Sequence, residues 1–269
     1  MAVLPYAVSL SSQNAINMSL FGAKATNLAK AMQLGLNVPD GFAISRVCTK
    51  DDFTHIAKDI MEILSPPIAT RSSAINEDSS KKAFAGQFKT YLGIRTIEDL
   101  KQAFADVKDS GSTNLFQINH KEVVSPDKIA VFVQRMVNAT RAGIAFSRDP
   151  ITGESKVIIE SNYGLGESVV HGYVTPDSID YLDDETFKTF IGRKSIQVVL
   201  TDNGISTNDT SPDDSRRCSL TDKEIKEIAN LTKKVECGLG FAADIEWAID
   251  SDGILWLLQA RPITTILKG

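Results

Sequence analysis

Two hydrophobic periods run along the chain and predict different elements. In residues 22–35, "GAKATNLAKAMQLG", Ala25, Leu28, Ala29 and Met32 recur three and four apart, with Leu36 just beyond. This spacing predicts a helix closed by Gly35. Residues 219–240 predict a second helix: Thr221 and Glu224 form a capping box ahead of Ile225, Ile228, Ala229, Leu231 and Val235. Elsewhere the apolar runs are β-branched or aromatic. "DKIAVFVQRMV" (127–137) and "AGIAFSRDP" (142–150), joined around Asn138 and Thr140, predict a hairpin, and "KVIIES" (156–161) a following strand. Residues 201–218, rich in Asp, Ser, Asn and Pro, predict an exposed loop and the candidate hinge between lobes. The mixture is that of an α+β protein.

One stretch does not fit a purely structural pattern. "DIEWAID" and "ILWLLQAR" flank the turn "DSDG" and predict a hairpin. An even-numbered loop pairs Ile249 with Ile254, Asp244 with Gln259, and Glu246 with Leu257. Alternation then gathers Asp244, Glu246, Gln259 and Arg261 on one face. Ile245, Trp247, Ile249, Ile254, Trp256 and Leu258 form the other. Carboxylate and carboxamide oxygens suit Mg²⁺, and a guanidinium grips phosphate oxygens as a fork. A solvated sheet face with an Arg–carboxylate pair is the plainer alternative.

Composition narrows the function classes. The chain has 269 residues, 42% of them hydrophobic, enough to bury a full core in one large domain or two lobes. Its net charge of −5 is spread without a basic block, which argues against nucleic-acid binding. Cys48, Cys218 and Cys237 form no CxxC pair, so neither a disulfide framework nor a zinc site is expected, and a cytoplasmic location is. No apolar run approaches a membrane span and no signal peptide is visible. There is no Walker A sequence, and "YGLG" holds only a GxG.

Five segments in order carry a resemblance: "GAKATNLAKAMQLGLNVPDGFAIS", "ATRSSAINEDSSKKAFAGQFKTYLGI", "VQRMVNATRAGIAFSRDPITGES", "YGLGESVVHGYVTPD" and "DIEWAIDSDGILWLLQARPIT". Together they resemble the N-terminal ATP-binding domain of the phosphoenolpyruvate synthase and pyruvate phosphate dikinase family, which includes rifampin phosphotransferase. The resemblance implies an ATP-grasp fold across residues 1–269, with ATP between two lobes and Mg²⁺ as its companion.

The resemblance also assigns residues. Lys24, Arg71 and Arg135 match nucleotide- and phosphate-contacting positions. Lys24 opens a helix, and Arg135 shares a strand face with Val131 and Val133, where an unpaired guanidinium is costly. Thr152 and Gly153 sit in "SRDPITGES", a loop whose amides and hydroxyl are expected to close over phosphate, with a plain turn as the alternative. Glu160, Thr175 and Asp177 are expected on the adenine and ribose side. Glu246, Gln259 and Asp244 are expected to face the metal, with Arg261 and Gln259 toward phosphate. Lys24, Arg71, Arg135 and Arg261 form the expected catalytic set.

Family chemistry passes the β-phosphate of ATP to a histidine on a carrier domain, releasing AMP and phosphate. His55, His120 and His171 do not match the Gly- and Thr-rich phosphohistidine loop, and no acceptor site is visible. The expected partner is therefore a separate phosphohistidine carrier domain or protein, whether the chain is an excised domain or a stand-alone subunit. Residues 48–73, a shorter connector than usual, and "GLGFAADIEW" depart from the family wording without removing a proposed ligand. Direct phosphorylation of a small hydroxyl compound and a non-catalytic ATP-binding regulatory module are the alternatives. AMP with phosphate, ADP, or binding without turnover separates the three.

Overall fold

The first helical period forms α1, Met18–Gln33, but the helix breaks at Gly22, whose φ of 74° and ψ of 173° are not helical. A Cβ at Gly22 would lie 1.9 Å from the carbonyl oxygen of Ser73, so only glycine lets the two backbones meet here. The structure is a computed structural model, and it describes residues 4–74, 90–113 and 129–264. Glu77 and Asp78, the acidic neighbours of Arg71 in "ATRSSAINEDSS", and His120 lie outside the described residues. The chain divides into two compact units: residues 1–33 with 39–136, and residues 34–38 with 137–269.

The first unit is built on a five-stranded sheet. Its strands are β1 (Ala7–Ser9), β2 (Gly41–Ile44), β3 (Ile68–Ala74), β4 (Thr90–Ile94) and β5 (Ile129–Arg135), in the order β1-β2-β5-β3-β4. Helix α2, Lys50–Leu64, starts at a Thr49–Asp52 capping box, and α3 spans Ile97–Thr113. Phe53 of α2 stacks on Phe104 of α3 with ring centroids 3.9 Å apart. These helices bury Ile44, Ile68, Ile129, Val131 and Val133 on one sheet face. Helix α1 packs on β3 and β5, where its start meets Ser73, on the opposite face.

The second unit carries a six-stranded sheet. Its strands are β6 (Ala139–Phe146), β7 (Val157–Tyr163), β8 (Asp177–Tyr181), β9 (Phe187–Phe190), β12 (Ala243–Asp250) and β13 (Leu255–Pro262), in the order β13-β12-β6-β7-β8-β9. Short α4 (Glu167–Val170) follows β7, and β10 (Ile196–Thr201) pairs with β11 (Gly204–Asp209) as a separate ribbon. Helix α5, Asp222–Leu239, has the expected Thr221–Glu224 capping box and a left-handed Gly240. It packs on β6, β7, β8, β12 and β13. Ile225, Ile228 and Val235 of α5 and Ile159, Ile245 and Trp247 of the sheet are all buried.

Three organisational expectations are corrected. The strands expected to form a hairpin around Asn138 belong to different sheets: β5 pairs with β2 and β3, and β6 with β12 and β7. The short polar link is where the chain leaves one unit for the other, between residues 136 and 137. The candidate hinge at 201–218 lies wholly inside the second unit and holds β11, whose ladder with β10 satisfies backbone groups a free loop would leave to water. The third correction is the register of the last hairpin.

Candidate functional site

Strands β12 and β13 pair as Asp244↔Arg261, Ile245↔Ala260 and Glu246↔Gln259. The register then shifts, and Trp247 pairs with Leu257 and Ile249 with Leu255. Both the turn and a bulge defeat the even-loop expectation. The turn closes with Asp250 N donating to Ile254 O, leaving three residues between them. The Asp250 carboxylate accepts from the amides of Asp252 and Ile254 and from Trp256 Nε1. Leu258 is then the extra residue between the two registers. The core face of β13 therefore presents fully buried Leu257 and Ala260, while Trp256 turns to Asp250 on the polar side.

The bulge tightens the polar face. Asp244 is opposite Arg261, whose Nε donates to Asp244 Oδ2 at 2.8 Å, and Glu246 is opposite Gln259, whose Nε2 donates to Glu246 Oε1 at 3.1 Å. The row continues across the sheet: Glu246 pairs with Ile144, Ile144 with Glu160, and Glu160 with Ser178. Glu160 thus shares a face with Glu246, two strands away with β6 between, which the strand pattern of β7 alone did not reveal. Gly143 on β6 lets the backbone of β7 come close at this point, because a Cβ there would lie 1.8 Å from the Glu160 carbonyl oxygen.

The face is acidic and partly withdrawn from water. Burial pushes the Asp244 carboxyl above the usual range; Arg261 pulls it back and Glu246 pushes it up again. Burial raises Glu160 as well, with repulsion from Asp244 adding to it. Extra positive charge would relieve both. Among the described residues no group of three or more His, Cys, Asp or Glu is gathered for a metal. Mg²⁺, however, takes one or two carboxylates and keeps waters or phosphate oxygens for its other positions. Glu246 with the Gln259 carbonyl oxygen fits that donor set. Asp244 is engaged by Arg261, which is the plainer Arg–carboxylate pairing anticipated for this face.

The first unit holds the other expected phosphate ligands. Arg71 lies on β3 opposite Phe132 of β5, on the α1 face, and Lys24 sits two residues beyond the break at Gly22. Both are partly exposed. Arg135 is not brought to them. It pairs with Ile68, on the α2 and α3 face of the sheet, and its guanidinium lies 3.4 Å from Asp40. Arg135 stands at the exposed end of its strand, so its guanidinium is in water and meets Asp40 within the same unit.

Two further expectations are corrected by hydrogen bonding. The amides of residues 151–154 are consumed inside their own loop. Ile151 N and Thr152 N donate to Asp149 Oδ1, Gly153 N to Asp149 O, and Glu154 N to Thr152 Oγ1. Lys156 completes the knot 3.0 Å from Asp149. Those amide contacts and the Lys156 ammonium hold Asp149 down at about 2, led by the Thr152 amide. Thr152 and Gly153 therefore stand in a self-satisfied turn, not a ready phosphate cradle.

Asp177 pairs with Ser161 on the α5 face, whereas Glu160 pairs with Ser178 on the other, so the two do not share a site. It is fully buried. One carboxylate oxygen accepts from Gly192 N and Lys194 Nζ, the other from Ser219 N and Oγ. Its role is to tie three segments together, which an aspartate opening a strand does not announce in sequence. Thr175, two residues earlier, is exposed. His171 Nε2 lies 3.0 Å from Glu167 on short α4.

Comparison with known proteins bears on this arrangement. Residues 49–269 match the family described as pyruvate phosphate dikinase, AMP/ATP-binding domain. An uncharacterized phosphotransferase of Bacillus subtilis, YvkC, is 34% identical over 92% of this chain and 34% of its own length. A probable phosphoenolpyruvate synthase of Methanothermobacter thermautotrophicus is 30% identical over 93% of this chain and 45% of its own. The chain thus spans less than half the length of either relative. A solved D-alanine-D-alanine ligase from Coxiella burnetii superposes with a TM-score of 0.45 at 9% identity, over 91% of this chain and 48% of that one. Among the described residues no helix is long and apolar enough to cross a membrane.

Proposed function

The chain belongs to the pyruvate phosphate dikinase AMP/ATP-binding domain family, and from that premise we propose that it is an ATP-grasp domain of a phosphoenolpyruvate synthase-like phosphotransferase. In this reading it binds Mg-ATP and directs the β-phosphate to a histidine on a separate carrier domain or protein. The carrier nitrogen forms the new bond to phosphorus, AMP leaves, and water takes up the terminal phosphate. The observation that carries the reading is the direct pairing of Glu246 with Gln259 and of Asp244 with Arg261 on the acidic face of the second unit.

Phosphoryl transfer asks a protein mainly to position phosphates and balance charge. Bound Mg²⁺ would supply positive charge to phosphate oxygens, held here by Glu246 and Gln259. Arg261, already oriented by Asp244 through Nε, presents a preset guanidinium to a phosphate. Lys24 and Arg71 of the first unit are the further phosphate ligands in this reading. Arg135, the 151–154 amides and Asp177 are not carried forward, because each is engaged within its own unit.

The test is ATP labelled in its β-phosphate, incubated with the protein, Mg²⁺ and a cytosolic fraction. Transfer of acid-labile, base-stable label to protein, with AMP as the nucleotide product, is the expected result. ADP as product would replace this reading with direct phosphorylation of a small hydroxyl compound. Mg-dependent binding without turnover under any of these conditions would leave a regulatory module.

A further inference from the structure

The helix that carries Lys24 restarts after Gly22, and a helix start needs acceptors for its first amides. An N-cap side chain ordinarily supplies one to the second or third helical residue. Gly22, which occupies the N-cap position with a positive φ of 74°, has no side chain to offer, and its contact with Ser73 forbids one. Ser73 supplies the missing oxygen from another element. Its Oγ accepts from Ala25 N at 3.1 Å, across 48 residues of sequence, and the residue is completely buried. Ser73 lies two positions after Arg71 on the same face of β3.

We propose that Ser73 is a positioning residue for phosphate binding, capping in trans the helix start that presents Lys24 and fixing it to the strand that presents Arg71. The proposal rests on the reading of Lys24 and Arg71 as phosphate ligands. A buried hydroxyl on a strand has no need to reach this amide for sheet stability, because the β3 ladder with β5 is continuous from Ile68 to Ala74 without it. What the bond determines is where Lys24 stands relative to Arg71.

The experiment is a double-mutant cycle on ATP affinity, read by calorimetry with Mg²⁺, using Ser73→Ala, Lys24→Ala and the double variant, each checked by thermal melting. Ser73→Ala is expected to weaken ATP by about tenfold, within the range for a lost cap. The double variant is expected to bind no more weakly than Lys24→Ala alone, because Ser73 acts through Lys24. Ser73→Cys, which keeps the volume but accepts hydrogen bonds poorly, replaces Ser73→Ala if the latter does not fold. Additive losses, or a lowered melting temperature with unchanged ATP affinity, would reduce Ser73 to a packing role while leaving the ATP reading intact. If Lys24→Ala itself leaves ATP affinity unchanged, the phosphate-ligand assignment falls and this inference falls with it.

Discussion

Glu246 and Gln259 face each other across β12 and β13, with Gln259 Nε2 donating to Glu246 Oε1 at 3.1 Å, immediately before the register shifts at Trp247. The carboxylate and carboxamide are therefore held as a unit on one face while Trp247, the next residue, is fully buried on the other. Polar and fully buried side chains alternate residue by residue along a single strand.

That alternation predicts opposite outcomes for neighbouring substitutions. Glu246→Ala should remove Mg-dependent ATP binding with little change in melting temperature, whereas Trp247→Ala should cost about 3–5 kcal/mol of stability. Calorimetry and denaturant unfolding on both variants check this. A Glu246→Ala protein that binds Mg-ATP normally would remove Glu246 from the site.

Arg261→Ala leaves Asp244 on a partly dehydrated face without its guanidinium, so the carboxyl should rise further. A folded carboxyl above its unfolded value binds protons that the unfolded chain has released, so stability falls as pH rises from about 4 through the folded value. The variant should therefore be penalised at pH 7 relative to pH 4 more than the parent protein is. Urea midpoints at the two pH values give the comparison, and equal penalties would show that Arg261 does not control Asp244.

The loop at 147–156 gives the opposite sign. Asp149 is held at about 2, below its unfolded value, so its contribution is complete above about pH 4 and is lost as pH falls toward 2. Asp149→Asn should cost about 1–3 kcal/mol at pH 7 and flatten the stability profile between pH 4 and 2. A profile as steep as the parent's would place the acid sensitivity elsewhere.

Lys194 and Asp177 are both fully buried, and removal of one partner leaves the other charge uncompensated. Lys194→Met should destabilise by about 3–5 kcal/mol. Lys194→Met combined with Asp177→Asn should recover part of that loss. Unfolding curves of the single and double variants decide whether this pair is the structural tie described above.

The helices, the strands and the polar face of the last hairpin were legible because their signals are local. Thr221 with Glu224 caps α5, and alternation in 244–250 separates carboxylates from Ile245 and Trp247. Register was not legible, because the turn at Asp250 and the extra Leu258 each depend on hydrogen bonds that alternation does not encode. Sheet membership also escaped: β5 and β6 are separated by a link short enough for a hairpin, yet pair with strands distant in sequence. The partners of Arg135 and Asp177 escaped for the same reason, since Asp40, Lys194 and Ser219 are brought in by tertiary structure.

The most direct test of the account is titration of ATP into the protein by calorimetry, with and without Mg²⁺, on the parent chain and on Glu246→Ala. Binding that requires Mg²⁺ and disappears in Glu246→Ala is the predicted result. Binding indifferent to both Mg²⁺ and Glu246, or no binding to the parent chain, would contradict it.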